Sequence, residues 1–222
     1  MVVFGMNYES IISRINAFTS RIMEIGGEVQ EVIIGEPATP EQIAETEQQL
    51  GVNLPESFKR VLMEFSANFS IRWFFPENIE IPEEFREIFC GIFNWNLKLL
   101  PQIDNYRLDS VRVVFPDPEN EYDKVWHNKL AFCDVENGDY LAFDMNTSGN
   151  DAPIVYLSHD DGEGHGYIMA NNFIELLDHW SRLGFVGSED WQWFPFTTSP
   201  DSGIIPDGDA AIRFRKWLGV NI

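Results

Sequence analysis

The loop at residues 158–165, Ser-His-Asp-Asp-Gly-Glu-Gly-His, is the densest group of side chains that could bind a metal ion or transfer a proton. Its histidines, His159 and His165, lie in a glycine-rich segment, whereas a catalytic zinc helix presents two histidines on one helical face with a third ligand. The spacing also differs from a calcium loop, which needs alternating carboxylates, a central glycine and a distal glutamate. A solvated loop between strands is the usual outcome. We therefore expect no metal and no cofactor, and a metal-dependent hydrolase using these histidines is the least favoured function.

Nucleophilic catalysis is disfavoured by the same loop. Ser158, His159 and Asp160 are the residue types of a catalytic triad, but adjacent residues of an extended segment point to opposite faces. The sequence contains no G-x-S-x-G elbow, no phosphate-binding glycine loop and no C-x-x-C pair. Cys90 and Cys133 fit buried apolar positions in a reducing compartment. The sequence therefore predicts no catalytic residues and no enzyme.

The overall charge points to the kind of partner. The 222 residues carry a formal net charge of −21, from 36 acidic and 15 basic residues. Without a basic stripe to neutralise phosphates, direct binding of nucleic acid is disfavoured, and a basic protein partner is favoured. Acidity that serves only solubility explains the same charge, and both interpretations stay open. We expect no secretory leader, and the sequence contains no apolar window of membrane length, which predicts a cytoplasmic protein without membrane contact.

The acidic residues are concentrated in one part of the chain. Residues 130–181 contain no lysine or arginine. Carboxylates on neighbouring hairpin loops form a surface of one sign, which attracts a basic protein and speeds its encounter. The acidic residues of this segment are Asp134, Glu136, Asp139, Asp144, Asp151, Asp160, Asp161, Glu163, Glu175 and Asp178. The predicted partner-binding face consists of Asp134, Glu136, Asp139, Asp151, Asp160, Asp161 and Glu163.

These acidic loops connect predicted strands. Runs at 130–133 and 140–143 flank Asn137-Gly138, the strongest hairpin signal in the chain, and should pair antiparallel. Residues 154–157 form a third predicted strand, and 167–170 a short fourth one. Asn171 or Asn172 then caps a predicted helix that extends to about residue 183, where Gly184 ends it.

Residues 37–65 predict two short helices joined by an elbow. Thr39 is a suitable helix cap, and Pro40 suits the first helical position. Gly51 ends the first helix and Pro55 begins the second. The other predicted elements are a helix over 8–25, a weak strand or linker over 28–35, a strand over 71–75, a short helix over 82–89, irregular structure from 97 to about 111, a strand over 111–115, an aperiodic tail over 185–208 and a last helix over 209–218.

Two segments together resemble the SMI1/KNR4 family, also called the SUKH superfamily. In the first, Leu50-Gly51 and Leu54-Pro55 join the two helices, and Phe58 begins the pattern that ends in Leu62-x-x-Phe65. The family often has Asn-Gly-Gly after the second helix, and here Asn68 alone is retained. The second segment is similar to the family's strand, Gly-Asp turn and strand, through Phe132, Asp134, Asn137-Gly138-Asp139, Tyr140 and Phe143-Asp144.

The resemblance implies an α+β fold: a mixed, mainly antiparallel sheet with helices packed around it and extra N- and C-terminal helices. We expect one domain over residues 1–222, with a core at about 37–184, an N-terminal helix at 8–25 and an extension at 185–222. The implied role is protein binding without catalysis. Bacterial members are similar to immunity proteins that neutralise toxins, often nucleases, and fungal members regulate glucan synthesis.

We therefore expect a bacterial immunity protein whose acidic face occludes a basic toxin domain. The alternative is a regulatory adaptor of cell-wall synthesis or signalling. The oligomeric state is left open.

Overall fold

The chain combines helices with strands. In a computed structural model, which describes residues 6–187 and 189–222, none of the described helices combines the length and apolar character that crossing a membrane requires. The helices are α1 (Tyr8–Glu24), α2 (Pro40–Leu50), α3 (Glu56–Glu64), α4 (Leu100–Val113), α5 (Asp123–Trp126), α6 (Phe173–Ser181), α7 (Asp190–Trp193) and α8 (Asp209–Leu218), with 3₁₀ turns at Glu83–Phe85 and Phe194–Phe196. The strands are β1 (Glu28–Ile34), β2 (Asn68–Phe74), β3 (Cys90–Asn96), β4 (Lys129–Asp134), β5 (Tyr140–Asp144), β6 (Ile154–Leu157) and β7 (Ile168–Ala170).

The strands form two antiparallel sheets, in the orders β1-β2-β3 and β4-β5-β6-β7. The α+β class and the terminal helices α1 and α8 are confirmed. The expected single mixed sheet is instead a pair of sheets whose pairing is antiparallel throughout, because α4 lies along the outer edge of β4, where Asp104 accepts the backbone N–H of Ala131. The predicted β4–β5 hairpin is confirmed, with Leu130 opposite Phe143 and Asp134 opposite Tyr140.

The elbow between α2 and α3 has the predicted geometry. Thr39 Oγ1 accepts the backbone N–H of Gln42, and the Gln42 side chain accepts the backbone N–H of Thr39, which completes a capping box. Gly51 ends α2 in the left-handed region, at φ 71°. Glu47 then accepts the backbone N–H of Leu54 at 2.8 Å. The turn is thus held by its own side chains.

An aromatic cluster joins the two sheets to the helices. The ring of Phe173, at the start of α6, has its centroid 4.6 Å from Phe58 of α3 and 5.2 Å from Phe132 of β4. The indole of Trp95 on β3 lies 5.3 Å from the same ring. Tryptophans 73, 95 and 126 are fully buried.

The region from residue 97 to 115 was predicted wrongly. Helix α4 occupies Leu100–Val113, where irregular structure and a strand were expected. Its buried residues are Leu100, Asp104 and Arg107, so two of the three are charged, and the apolar period that signals a helix is missing. Strand β3 was missed for a similar reason, because its Gly91, Asn94 and Asn96 are poor strand formers.

The charged pair inside α4 fastens this helix to the edge of the second sheet. Asp104 Oδ1 accepts from Arg107 Nε at 2.6 Å and from the backbone N–H of Ala131 at 2.9 Å. Arg107 also donates to the carbonyl of Trp126 at 2.9 Å. The pair therefore satisfies backbone groups of β4 and α5 that would otherwise be buried without partners.

Asp104→Ala should destabilise the protein by about 3–5 kcal/mol, because it leaves the guanidinium of Arg107 buried without its counter-charge. Urea unfolding measures this. Asp109→Ala is the matched control, because Asp109 forms the same i,i+3 pair with Arg112 on the exposed part of the helix. It should change the free energy of unfolding by no more than about 0.5 kcal/mol. Equal losses of unfolding free energy in the two variants would contradict a structural role for the buried pair of Asp104 and Arg107.

Candidate functional site

Acidic loops converge at one end of the four-stranded sheet. They are the β4–β5 turn, the β6–β7 loop, the segment before α5 and the start of α7. Tyr122 Oη donates to the carbonyl of Ser158 at 2.5 Å and accepts the backbone N–H of Asp161 at 3.0 Å. Asn137 Nδ2 donates to Glu189 at 3.3 Å. We call the carboxylates gathered here the acidic face: Asp134, Glu136, Asp139, Asp160, Asp161, Glu163, Glu189 and Asp190.

Asp139 is the buried anchor of this face, with 3% of its surface exposed. Its Oδ1 accepts from the backbone N–H of His159 at 2.8 Å and lies 2.7 Å from His159 Nδ1, which donates because a carboxylate accepts. Its Oδ2 accepts from Tyr156 Oη at 2.5 Å and from Asn137 Nδ2 at 3.0 Å. Asp139 therefore joins the β4–β5 turn to the β6–β7 loop. It supports the acidic face from the protein interior, whereas the sequence predicted that it lies on the surface.

Tyr156 keeps its proton in this arrangement. Burial of the phenol and the negative charge of Asp139 both raise the pKa of Tyr156 far above its usual value. The hydroxyl is therefore a donor to the carboxylate at neutral pH.

His165 fixes the other end of the β6–β7 loop. Its Nδ1 accepts the backbone N–H of Ser158 at 3.1 Å, so Nε2 carries the hydrogen and donates to the carbonyl of Tyr122 at 3.0 Å. The imidazole also stacks on the Tyr122 ring, with centroids 3.8 Å apart. Burial lowers the pKa of His165 below its usual value. Histidine at this position is thus a neutral structural residue.

Gly164 lets α7 approach the β6–β7 loop. The backbone N–H of Gly164 donates to Asp190 Oδ2 at 2.8 Å. A Cβ atom at residue 164 would lie 2.5 Å from Asp190 Cβ and 2.8 Å from the indole of Trp193. A side chain here would displace α7 and, with it, Glu189.

The exposed carboxylates of the acidic face mostly have no basic neighbour. Glu136 pairs with Arg72 of β2, whereas Asp160 contacts the hydroxyl of Ser158 at 3.0 Å. Within the described ranges no lysine or arginine forms an ion pair with the remaining members, Asp134, Asp139, Asp160, Asp161, Glu163, Glu189 and Asp190. Burial, helped by the charges of Asp139, Asp190 and Asp160, raises the pKa of Glu189.

The sequence-predicted face includes one residue that lies elsewhere in the structure and lacks two that belong to the acidic face. Asp151 lies apart, at the β5–β6 turn, where it accepts from the hydroxyl of Ser57 on α3 at 2.6 Å. Glu189 and Asp190 were not predicted, because they follow the β6–β7 loop by more than twenty residues in a segment without periodicity. Their acidic pair before Trp191 was the available signal, but only the fold brings it to the loops.

One group of side chains in the described residues could hold a metal ion: Asp139, His159 and Asp160, whose ligand atoms lie within 4.8 Å of one another. A cation there would have to replace the proton that His159 Nδ1 shares with Asp139 Oδ1. The other oxygen of Asp139 is already used by Tyr156 and Asn137. The expectation that no metal binds stays a prediction.

The loop does not assemble a nucleophile with a base. Ser158 Oγ donates to Asp160 and accepts the backbone N–H of Gly162 at 3.0 Å, whereas the His159 ring is directed at Asp139. Burial raises the pKa of each thiol, Cys90 and Cys133, to about 12, so neither is a thiolate at neutral pH.

The comparisons agree with the fold. The model of the SMI1 / KNR4 family (SUKH-1) matches residues 37–179, well over half of the chain. The chain belongs to this family. Its members are generally non-enzymatic, and membership supports a non-catalytic domain of immunity-like or regulatory kind. No curated protein matches the chain. The matched range includes the β4–β5 turn and the β6–β7 loop of this SUKH-1 domain, but neither β1 nor α7.

His165 should make stability depend on pH. Its pKa is lowered in the folded protein, so its contribution is complete above the unfolded pKa of about 6.5 and is lost as the pH falls through the folded pKa. We expect His165→Gln to cost about 1–2 kcal/mol above that pH. The difference from the wild type should shrink at lower pH, because glutamine does not titrate. Urea unfolding over a pH series measures this, and a pH-independent difference would contradict it.

Proposed function

We propose that this SUKH-1 protein is an immunity-type inhibitor that binds a basic toxin domain through the acidic face. The supporting observation is the convergence of four chain segments into one surface on which most carboxylates lack a lysine or arginine partner among the described residues. Elsewhere most basic side chains are already used in ion pairs. Within the described ranges, seven carboxylates that form no ion pair with lysine or arginine thus lie together where the loops meet.

Charge of this kind matches one class of partner. A toxin that binds nucleic acid presents lysines and arginines to the phosphates. A group of carboxylates can occupy that basic surface in place of the phosphates. The long-range attraction raises the rate of encounter and decreases with salt. Inhibition by occlusion needs no chemistry at the acidic face, which is consistent with the absence of a nucleophile–base pair in the loop described above.

The face is also rigid enough to bind without a large ordering cost. Asp139 fixes both loops through side-chain and main-chain hydrogen bonds, and His165 stacks on Tyr122 beneath the exposed acids. Binding energy is then not spent on ordering the loops. Asp160, Asp161 and Glu163 are exposed on this frame.

The test uses a triple variant, Asp160→Asn, Asp161→Asn and Glu163→Gln. Immobilised wild-type protein should capture a basic protein from extract of the native host at low salt, and co-expression with that partner should relieve its toxicity. The variant should bind it at least about tenfold more weakly, because three favourable charge contacts are lost. Mass spectrometry identifies the partner, and titration at two salt concentrations measures the affinity.

The matched control removes the same charge elsewhere: Glu9→Gln, Glu41→Gln and Glu45→Gln, on α1 and α2. It should bind almost as the wild type does. Equal weakening in both triple variants would show that only net charge matters, and capture of no basic protein at low salt would refute the proposal. A captured cell-wall enzyme or signalling protein, with no toxicity to relieve, would favour the regulatory alternative.

A further inference from the structure

Strand β1 is an outer strand of the three-stranded sheet. It pairs with β2 and, within the described ranges, with no other strand. Its last three residues are apolar and exposed, Val32 by 41% and Ile33 and Ile34 by 38% each. An edge of this kind is a template onto which another strand can add.

The outward-facing hydrogen-bonding groups of this part of β1 belong to Val32 and Ile34. Gly35 N–H donates to the carbonyl of Asn68 on β2, at 2.8 Å. Because residues of an antiparallel ladder alternate between the two sides, Ile33 also faces β2, whereas the N–H and C=O of Val32 and Ile34 face outward. Within the described residues no side chain bonds to these outward groups.

Of the features that usually prevent further pairing at an edge strand, β1 has a bulge, and this bulge lies in its first half. The register shifts at Gln30, between Val29 and Glu31, and such a bulge disrupts further pairing there. From Glu31 to Ile34 the register is regular, opposite residues 69–72. This half contains no lysine, no proline and no bulge.

The two faces of β1 define what would fit beside it. On the outer face, Glu31 lies opposite Arg72 and Ile33 opposite Ser70, above an open groove of about 320 Å³ that Glu136 also lines. On the inner face, Val32 and Ile34 lie opposite Ile71 and Phe69. A strand added here needs β-branched residues beside Val32 and Ile34, and a basic residue beside Glu31.

Charge makes a second copy of the chain a poor occupant. Glu28, Glu31 and Glu36 lie along the same edge and form no ion pair with a lysine or arginine of the described residues. Two copies paired through β1 would bring these glutamates together, in addition to the repulsion between two chains of net charge −21. A basic strand removes both penalties.

We infer that the regular half of β1 binds an extended, lysine- or arginine-bearing segment of a partner protein by β-strand addition. Main-chain hydrogen bonds to Val32 and Ile34 hold the added segment, and Glu31 favours a segment that carries a basic residue. The inference rests on β1, which lies outside the range that the family model matches, and does not depend on the acidic face.

The probe is a short capped peptide in which valine alternates with threonine and lysine. NMR of the amide-labelled whole protein should show that this peptide shifts the amide signals of Val32 and Ile34 and slows their hydrogen exchange. Glu31→Lys should weaken binding about tenfold through the loss of one cross-strand charge pair and its replacement by repulsion. Asp201→Lys, an equal charge change on an exposed turn, should leave binding within about twofold of the wild type.

Two further arms separate strand addition from attraction to an acidic protein. Val32→Pro removes one outward N–H without removing a ladder bond, so it should abolish binding while the β1–β2 signals persist. If that variant does not fold, a peptide of the same charge with proline at alternate positions replaces it and should not bind. Shifts confined to residues 134–139 and 158–165, equal binding of the proline peptide, or dimerisation of the protein alone through β1 would overturn the inference.

Discussion

The contact on which the rest of this structure depends is the packing of aromatic rings around Phe173. That ring lies against Phe58 of α3, Trp95 of β3 and Phe132 of β4, so one side chain touches both sheets and the helical elbow. Its own backbone N–H donates to Ser57, whose hydroxyl donates to Asp151. The two sheets and the helical elbow therefore share one hydrophobic core around this ring. The position of each loop at the sheet ends follows from this shared core.

Asp139 shows how the core supports a charged surface. A carboxylate at this depth is stable only when its oxygens are fully hydrogen-bonded, and Tyr156, His159 and Asn137 supply the donors. Because those donors come from β6, the β6–β7 loop and the β4–β5 turn, satisfying one buried charge also fixes the exposed acids around it. The acidic face and its rigidity therefore have the same physical origin.

The interactions proposed for the acidic face and for the β1 edge are of two different kinds. The acidic face would act through charge at a distance, with a sensitivity to salt. The edge would act through main-chain hydrogen bonds at contact, with Glu31 as the selective group. Arg72 links them spatially, since it pairs with Glu136 of the β4–β5 turn and lies opposite Glu31 in the β1–β2 ladder. A basic partner that presents an extended segment would be recognised by both.

Local signals in the sequence determined the elbow, the β4–β5 hairpin and the capped helix α6, because caps, glycine stops and an Asn-Gly turn act within a few residues. They did not reveal α4, whose buried face carries Asp104 and Arg107. The acidity of residues 130–181 was also readable, and the family resemblance pointed to a binding role. Only the tertiary structure decided that Asp139 is interior, that Asp151 lies apart and that Glu189 joins the face. Those outcomes depend on contacts between segments far apart in the chain, which no local pattern encodes.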